Sequence, residues 1–80
     1  MELKILGPTS SQQHSINWLE AQTDQGNFVI LPGHAPMVML LAPNKELAME
    51  LSDLTISILK IPGGILQVTR TSITLLISHE

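Results

Sequence analysis

The chain has no cysteine, so neither disulfides nor a thiolate metal site supplement its core. Aromatic residues number two, Trp18 and Phe28, which removes the stacking platforms used by single-strand nucleic-acid binders. Positive charge is scarce: four Lys and Arg stand against seven Asp and Glu, and the net charge of −3 has the wrong sign for a nucleic-acid footprint. No window holds 18 uncharged apolar residues. The longest charge-free run, residues 25–44, is broken by Pro32, Gly33, Pro36 and Pro43, so a direct membrane span is excluded. The start, Met1-Glu2-Leu3-Lys4-Ile5-Leu6, meets Gly7-Pro8 too early and is too acidic for a signal peptide. Eighty residues make one domain, 1–80, that buries about 60–65 % of its unfolded surface. Its expected stability is on the order of 4–12 kcal/mol.

What the chain does have is 44 % apolar residues with only 14 % charged ones, a folded composition with an apolar surface. The apolar positions repeat with period two. Leu3/Ile5, Ile16/Trp18, Leu47/Met49/Leu51, Leu54/Ile56/Ile58 and Ile73/Leu75/Ile77 each alternate with more polar neighbours, the pattern of half-buried strands. β-Branched Thr and Ile supply three of the seven positions in 54–60 and three of the six in 73–78. Turn chemistry falls between the runs at Gly7-Pro8, Asp24-Gln25-Gly26-Asn27, Pro32-Gly33, Pro43-Asn44, Ser52-Asp53, Pro62-Gly63-Gly64 and residues 69–72. The fold class is all-β, an antiparallel sandwich or barrel. Residues 44–51 also fit a capped helix with Leu47 and Leu51 on one face. Alternation and the turn residues Ser52-Asp53 favour a strand there, since an eight-residue helix is marginal alone.

No catalytic constellation stands out. His14, His34 and His79 lie 20 and 45 positions apart, without the close spacing of a zinc site, and read as exposed or turn histidines. Serine is plentiful, yet no G-x-S-x-G elbow holds one above an oxyanion hole. Pro62-Gly63-Gly64 lacks the Gly-Lys-Ser/Thr of a phosphate-binding loop and reads as a turn or bulge with positive φ. No metal or cofactor site is expected. Glu46 and Glu50 share the outer face of a strand as solvated charges. The segment Leu31-Pro32-Gly33-His34-Ala35-Pro36 is different. Pro32 and Pro36 fix φ and force extended geometry on the residues before them, while Gly33 permits a sharp turn between them. The product is a rigid corner that presents an imidazole. Such a corner serves equally as mere architecture or as a contact surface.

These residues resemble a family. Gly26-Asn27-Phe28-Val29-Ile30-Leu31-Pro32-Gly33-His34-Ala35-Pro36-Met37 is similar to the G-x-F-G-I-L-P-G-H-A-P-L signature of the epsilon subunit of F-type ATP synthases. Pro62-Gly63-Gly64-Ile65-Leu66-Gln67-Val68 is similar to that family's S-G-G-F-L-E-V. Leu3-Lys4-Ile5-Leu6 and Ile73-Thr74-Leu75-Leu76-Ile77 match its first and last strands in character. Val29 departs from a usual glycine and Pro62 from a usual serine. Segment 10–24 lacks the family's F-x-G element.

The resemblance implies a flattened sandwich of about ten short strands. It implies a non-catalytic rotor subunit of the central stalk that binds the gamma subunit with one face and the membrane c-ring with its lower end. It places His34 and Met39 on the gamma-facing surface and Asn27 at the ring-facing end, where many members carry an acidic residue. It makes Pro32, Gly33, Pro36, Gly63 and Gly64 structural turn residues. The implied location is peripheral, on the cytoplasmic face of a bacterial inner membrane. Members usually continue into a two-helix hairpin that in some species binds ATP. This chain stops at Glu80, and Lys4, Lys45, Lys60 and Arg70 come from separate segments, so no ATP binding is expected. The alternative is a free-standing β-sandwich binding module.

Overall fold

A computed structural model describes residues 1–77 as eight strands without a helix. They are β1 (Glu2–Leu6), β2 (Ser11–Thr23), β3 (Gly26–Ile30), β4 (Met37–Leu41), β5 (Lys45–Leu51), β6 (Ile56–Ile61), β7 (Gly64–Val68) and β8 (Ser72–Ile77). The all-β class holds, with eight described strands rather than about ten. Within 44–51, Lys45–Leu51 is strand, as alternation favoured over the capped helix, and Asn44 is a turn residue at a φ of 65°. His79 lies outside the described residues.

The strands join in the order β4-β7-β8-β1-β2-β5-β6, with β3 also paired to β2. β2 makes this possible because it is 13 residues long and serves two sheets. Its first five residues pair β1; from Ile16 onward it pairs β5 and β3. A bulge between Ile16 and Trp18 marks the crossing. An extra residue bends and twists a strand, the usual way in which one strand turns the corner between two packed sheets. Main-chain bonds of 2.9 Å run both ways between Met1 and Ile16 and pin this corner.

Two sequence expectations are corrected here. The sandwich is not purely antiparallel: β1 and β8 run parallel, Leu3 beside Ile73 and Ile5 beside Leu75. First and last strands lie side by side, a long-range pairing that no local pattern encodes. Trp18 does not share the face of Ile16 either. The bulge at Asn17 resets the alternation, so Ile16 and Leu19 are buried while Trp18 turns outward.

The core is assembled from the inner faces of both sheets. Leu3, Ile5, Leu66, Val68, Ile73 and Leu75 come from the first; Ile16, Leu19, Ile30, Leu47 and Met49 come from the second. No polar or charged side chain is buried among the described residues. Each buried aliphatic side chain contributes about 1.5–3 kcal/mol.

The fourth alternating set behaves differently. Leu54, Ile56 and Ile58 alternate in sequence, but they face solvent, with 71 %, 51 % and 61 % of their surface exposed. Ser57, Leu59 and Ile61 occupy the inward positions of β6 instead. Leu54 precedes the strand and closes the β5–β6 turn at a φ of 72°. Its amide bonds Leu51 O at 2.8 Å, and the Leu51 amide bonds Thr55 O at 2.8 Å. A leucine in the left-handed region is strained by about 1–2 kcal/mol. Leu54→Asn, which places a tolerant residue there, should raise stability by roughly 0.5–1 kcal/mol in urea melts. A lowered midpoint would show that the exposed leucine makes a stabilising contact.

The same turn holds Asp53, whose carboxylate accepts the Thr55 amide at 3.0 Å. That backbone bond, followed by the Thr55 hydroxyl, holds the Asp53 carboxyl below its ordinary value of 3.8. A depressed folded value stabilises the folded chain above the unfolded one. The turn's contribution is therefore full above pH 3.8 and fades as pH falls below it. Proton titration by NMR should find Asp53 below 3.8, and a midpoint at or above that value would refute this.

Candidate functional site

The corner predicted at residues 31–36 has the geometry of a type II turn. Pro32 holds the second position, Gly33 the third at a φ of 84°, and the His34 amide closes it onto Leu31 O at 3.1 Å. The loop is then clamped to the β7–β8 turn: the Gly33 amide bonds Arg70 O at 2.9 Å and Arg70 Nη1 reaches Gly33 O at 3.5 Å. His34 is half-buried, and its Nδ1 donates to Ala35 O at 2.7 Å. No atom lies within 4 Å of a Cβ built on Gly33, so a substitution there is opposed by backbone strain alone. Gly33→Ala should therefore cost about 1–2 kcal/mol, and His34→Ala no more than about 0.5. Denaturant melts in the reverse order would make the imidazole a structural anchor.

Residue 63, also predicted to need positive φ, has 109°. It belongs to a group of turns at the far end of the molecule from the proline corner. There Lys45 Nζ meets Asp24 Oδ1 at 3.0 Å, and residue 63 approaches Leu41 O and Pro43. Asn27 lies on β3 beside the 24–25 turn, exposed and paired across the ladder with Gln22. His34 and Asn27 thus occupy opposite ends of β3.

Met39 lies on the inner side of β4. Along β4 the exposures alternate: Val38 and Leu40 are 68 % and 77 % exposed, whereas Met37 and Met39 are half-buried and pack against the core. Met39 is cross-strand from the buried Leu66 on the inner face. The outward surface of β4 belongs to Val38 and Leu40, which sequence reasoning passed over. Period two was visible there, but in a uniformly apolar run it does not say which set faces out.

Leu40 opens a band across the first sheet. Register places Leu40 beside Ile65, Ile65 beside Leu76, and Leu76 beside Leu6. Four strands each contribute one aliphatic side chain to an outward row, and Val38 extends it along β4. The neighbouring row is polar: Gln67, Thr74, Lys4 and Gln13. Apolar patches on small soluble domains mark contact surfaces.

The outer face of the second sheet is mixed. One row runs Ile56, Glu50, Trp18, and the next runs Ile58, Ala48, Glu20, Val29. Trp18 and Phe28 lie on opposite faces, since Phe28 pairs with the buried Ala21. They build no common stacking platform, which weighs against a sugar-binding module.

An open cleft of about 310 Å³ lies between the β3 and β4 edges, lined by Thr23, Asp24, Gln25, Phe28, Met39, Leu40 and Ala42. Its single titratable group, Asp24, is the partner of Lys45. Among the described residues no three His, Asp or Glu side chains are grouped to hold a metal. His14, read as an exposed or turn histidine, is half-buried in β2 and bonds Gln12 Oε1 at 3.1 Å. No helix of the described chain is long and apolar enough to cross a membrane.

Comparison with known proteins agrees with this geometry. The family described as ATP synthase, Delta/Epsilon chain, beta-sandwich domain matches residues 1–79. Among solved structures, a chain of the Euglena gracilis mitochondrial ATP synthase (OSCP/F1/c-ring, rotational state 1) superposes with a TM-score of 0.83 at 22 % identity. The match covers 94 % of this chain and 48 % of that one. A chain of the Tetrahymena thermophila mitochondrial ATP synthase, central stalk and c-ring, superposes with a TM-score of 0.77 at 15 % identity, covering 98 % and 63 %. This chain therefore spans about half to two thirds of those neighbours. A search of curated protein sequences finds no match.

Proposed function

Because the chain belongs to the family of ATP synthase delta/epsilon β-sandwich domains, we propose that it is a central-stalk subunit of an F-type ATP synthase. In this reading it catalyses nothing. It couples ion-driven rotation of the c-ring to ATP synthesis by holding the gamma subunit with one face and the ring with one end. The family match across residues 1–79 carries the reading. The row of Leu40, Ile65, Leu76 and Leu6 supports it, because a permanent interface needs a continuous desolvated patch on a small domain.

We assign gamma to this face of the first sheet, with His34 at its rim on the clamped corner. Met39 acts from behind, as packing under Val38 and Leu40. Asn27 and the turns beside it form the end assigned to the ring. The domain is peripheral at the membrane that holds the ring, and its apolar excess is used on protein partners. Calorimetric titration of the chain into its cognate gamma subunit tests the reading. Saturable one-to-one binding is expected, and absence of binding at tens of micromolar overturns it.

A further inference from the structure

The outer face of the second sheet carries an arrangement that the stalk reading leaves unused. Glu20 and Glu50 are half-buried there, diagonal neighbours on β2 and β5. Asn17, the bulge residue, donates from Nδ2 to Glu50 Oε1 at 2.8 Å and to Leu51 O at 3.3 Å, so the Glu50 carboxylate is held in place. Trp18 stands directly across from Glu50. Ile56, Ile58 and Val29 flank the pair on two sides, each more than half exposed. Glu46 lies in the next row opposite Lys60, the face's one cation. Two of the chain's three net negative charges therefore sit on this face.

We propose that this face docks a cationic amphipathic helix of a protein partner, with arginines set against Glu20 and Glu50 and aliphatic side chains set against Ile56, Ile58 and Val29. The charge pattern selects the occupant. Carboxylates lodged among aliphatic side chains gain most from a planar guanidinium, which bonds a carboxylate bidentately and stacks on the indole of Trp18. Diagonal neighbours on a sheet are about 7–8 Å apart, a span that two long side chains one helical turn apart bridge. A helix is favoured over an added strand because the acidic pair lies on β2 and β5, inside the sheet, away from the free ladder of β6. An anionic membrane surface and a second copy of this chain both bring negative charge against Glu20 and Glu50 and are disfavoured. The proposal uses the opposite face from the gamma band and does not depend on it.

The test employs the whole chain and an 18-residue alanine/leucine helical peptide with arginine at positions 7 and 11. The control peptide carries neutral citrulline at both positions. Fluorescence of Trp18, the only tryptophan, reports binding, and amide NMR shifts locate it. Saturable binding with shifts at Trp18, Glu20, Ala48 and Glu50 is expected. Citrulline in the peptide, or Glu20→Gln with Glu50→Gln in the chain, should weaken binding at least about tenfold. Ile58→Ser should weaken it severalfold, and Leu40→Asp on the other sheet should leave it unchanged. No binding at millimolar peptide, equal binding of the citrulline peptide, shifts centred on the first sheet, or preferential binding to phosphatidylglycerol vesicles would each overturn the proposal.

Discussion

Gly64→Ala should destabilise the fold by about 3 kcal/mol, the largest loss expected from removing so little. A Cβ built on Gly64 collides with the main-chain oxygen of Leu76 and sits 3.4 Å from the Ile77 Cα. The obstacle is backbone, so no rotamer change relieves it. Gly64 is paired on both sides, with Leu41 of β4 and Ile77 of β8, and any shift propagates into two ladders. The row above it, Leu40, Ile65 and Leu76, is the proposed gamma surface, which the same shift would deform. Against a total on the order of 4–12 kcal/mol, the variant should show a measurable unfolded fraction at moderate temperature. Chemical denaturation compared with wild type decides the matter. A loss below about 1 kcal/mol would mean that β7 and β8 separate more easily than their register implies.

The sequence revealed strands and turns far better than it revealed faces. Proline and glycine act locally, so the corner at Pro32-Gly33 and the tight turn at Gly63 were visible before any pairing was known. Alternation reports that two faces differ, but a set such as Leu54/Ile56/Ile58 reads the same whether it points inward or outward. Only the partner strand decides. Ala48 and Glu50 oppose Ile58 and Ile56, and they lie on the face away from the buried Leu47 and Met49. The bulge at Asn17 was hidden for a related reason, since one extra residue inverts every later position and leaves no compositional trace. The parallel pairing of β1 with β8 joins residues about 70 positions apart and follows from global closure of the sheet. The proposed docking residues fell in this gap. His34 was conspicuous by its prolines, whereas Leu40 and Glu20 acquire meaning only from their cross-strand neighbours.

Leu40→Asp should weaken binding of the cognate gamma subunit about thirty-fold or more while leaving the fold intact. Leu40 is 77 % exposed at the start of the apolar row, so its replacement removes no core contact and should shift stability by no more than about 0.5 kcal/mol. In the complex the same position would be desolvated, and a carboxylate there faces both a lost anchor and an unpaired buried charge. Truncation of an interface anchor alone amounts to about 2 kcal/mol, which is the thirty-fold. Two companions make the result interpretable. Met39→Asp puts the charge on the inner side of the same strand, against Leu66 and the core, so it should unfold the chain before it reports on binding. Ile58→Asp places an equal charge at a comparably exposed site on the other sheet and should bind gamma as wild type does. If Leu40→Asp and Ile58→Asp bind gamma equally well, the first sheet is not the gamma face. If only Ile58→Asp loses binding, gamma sits on the acidic sheet instead.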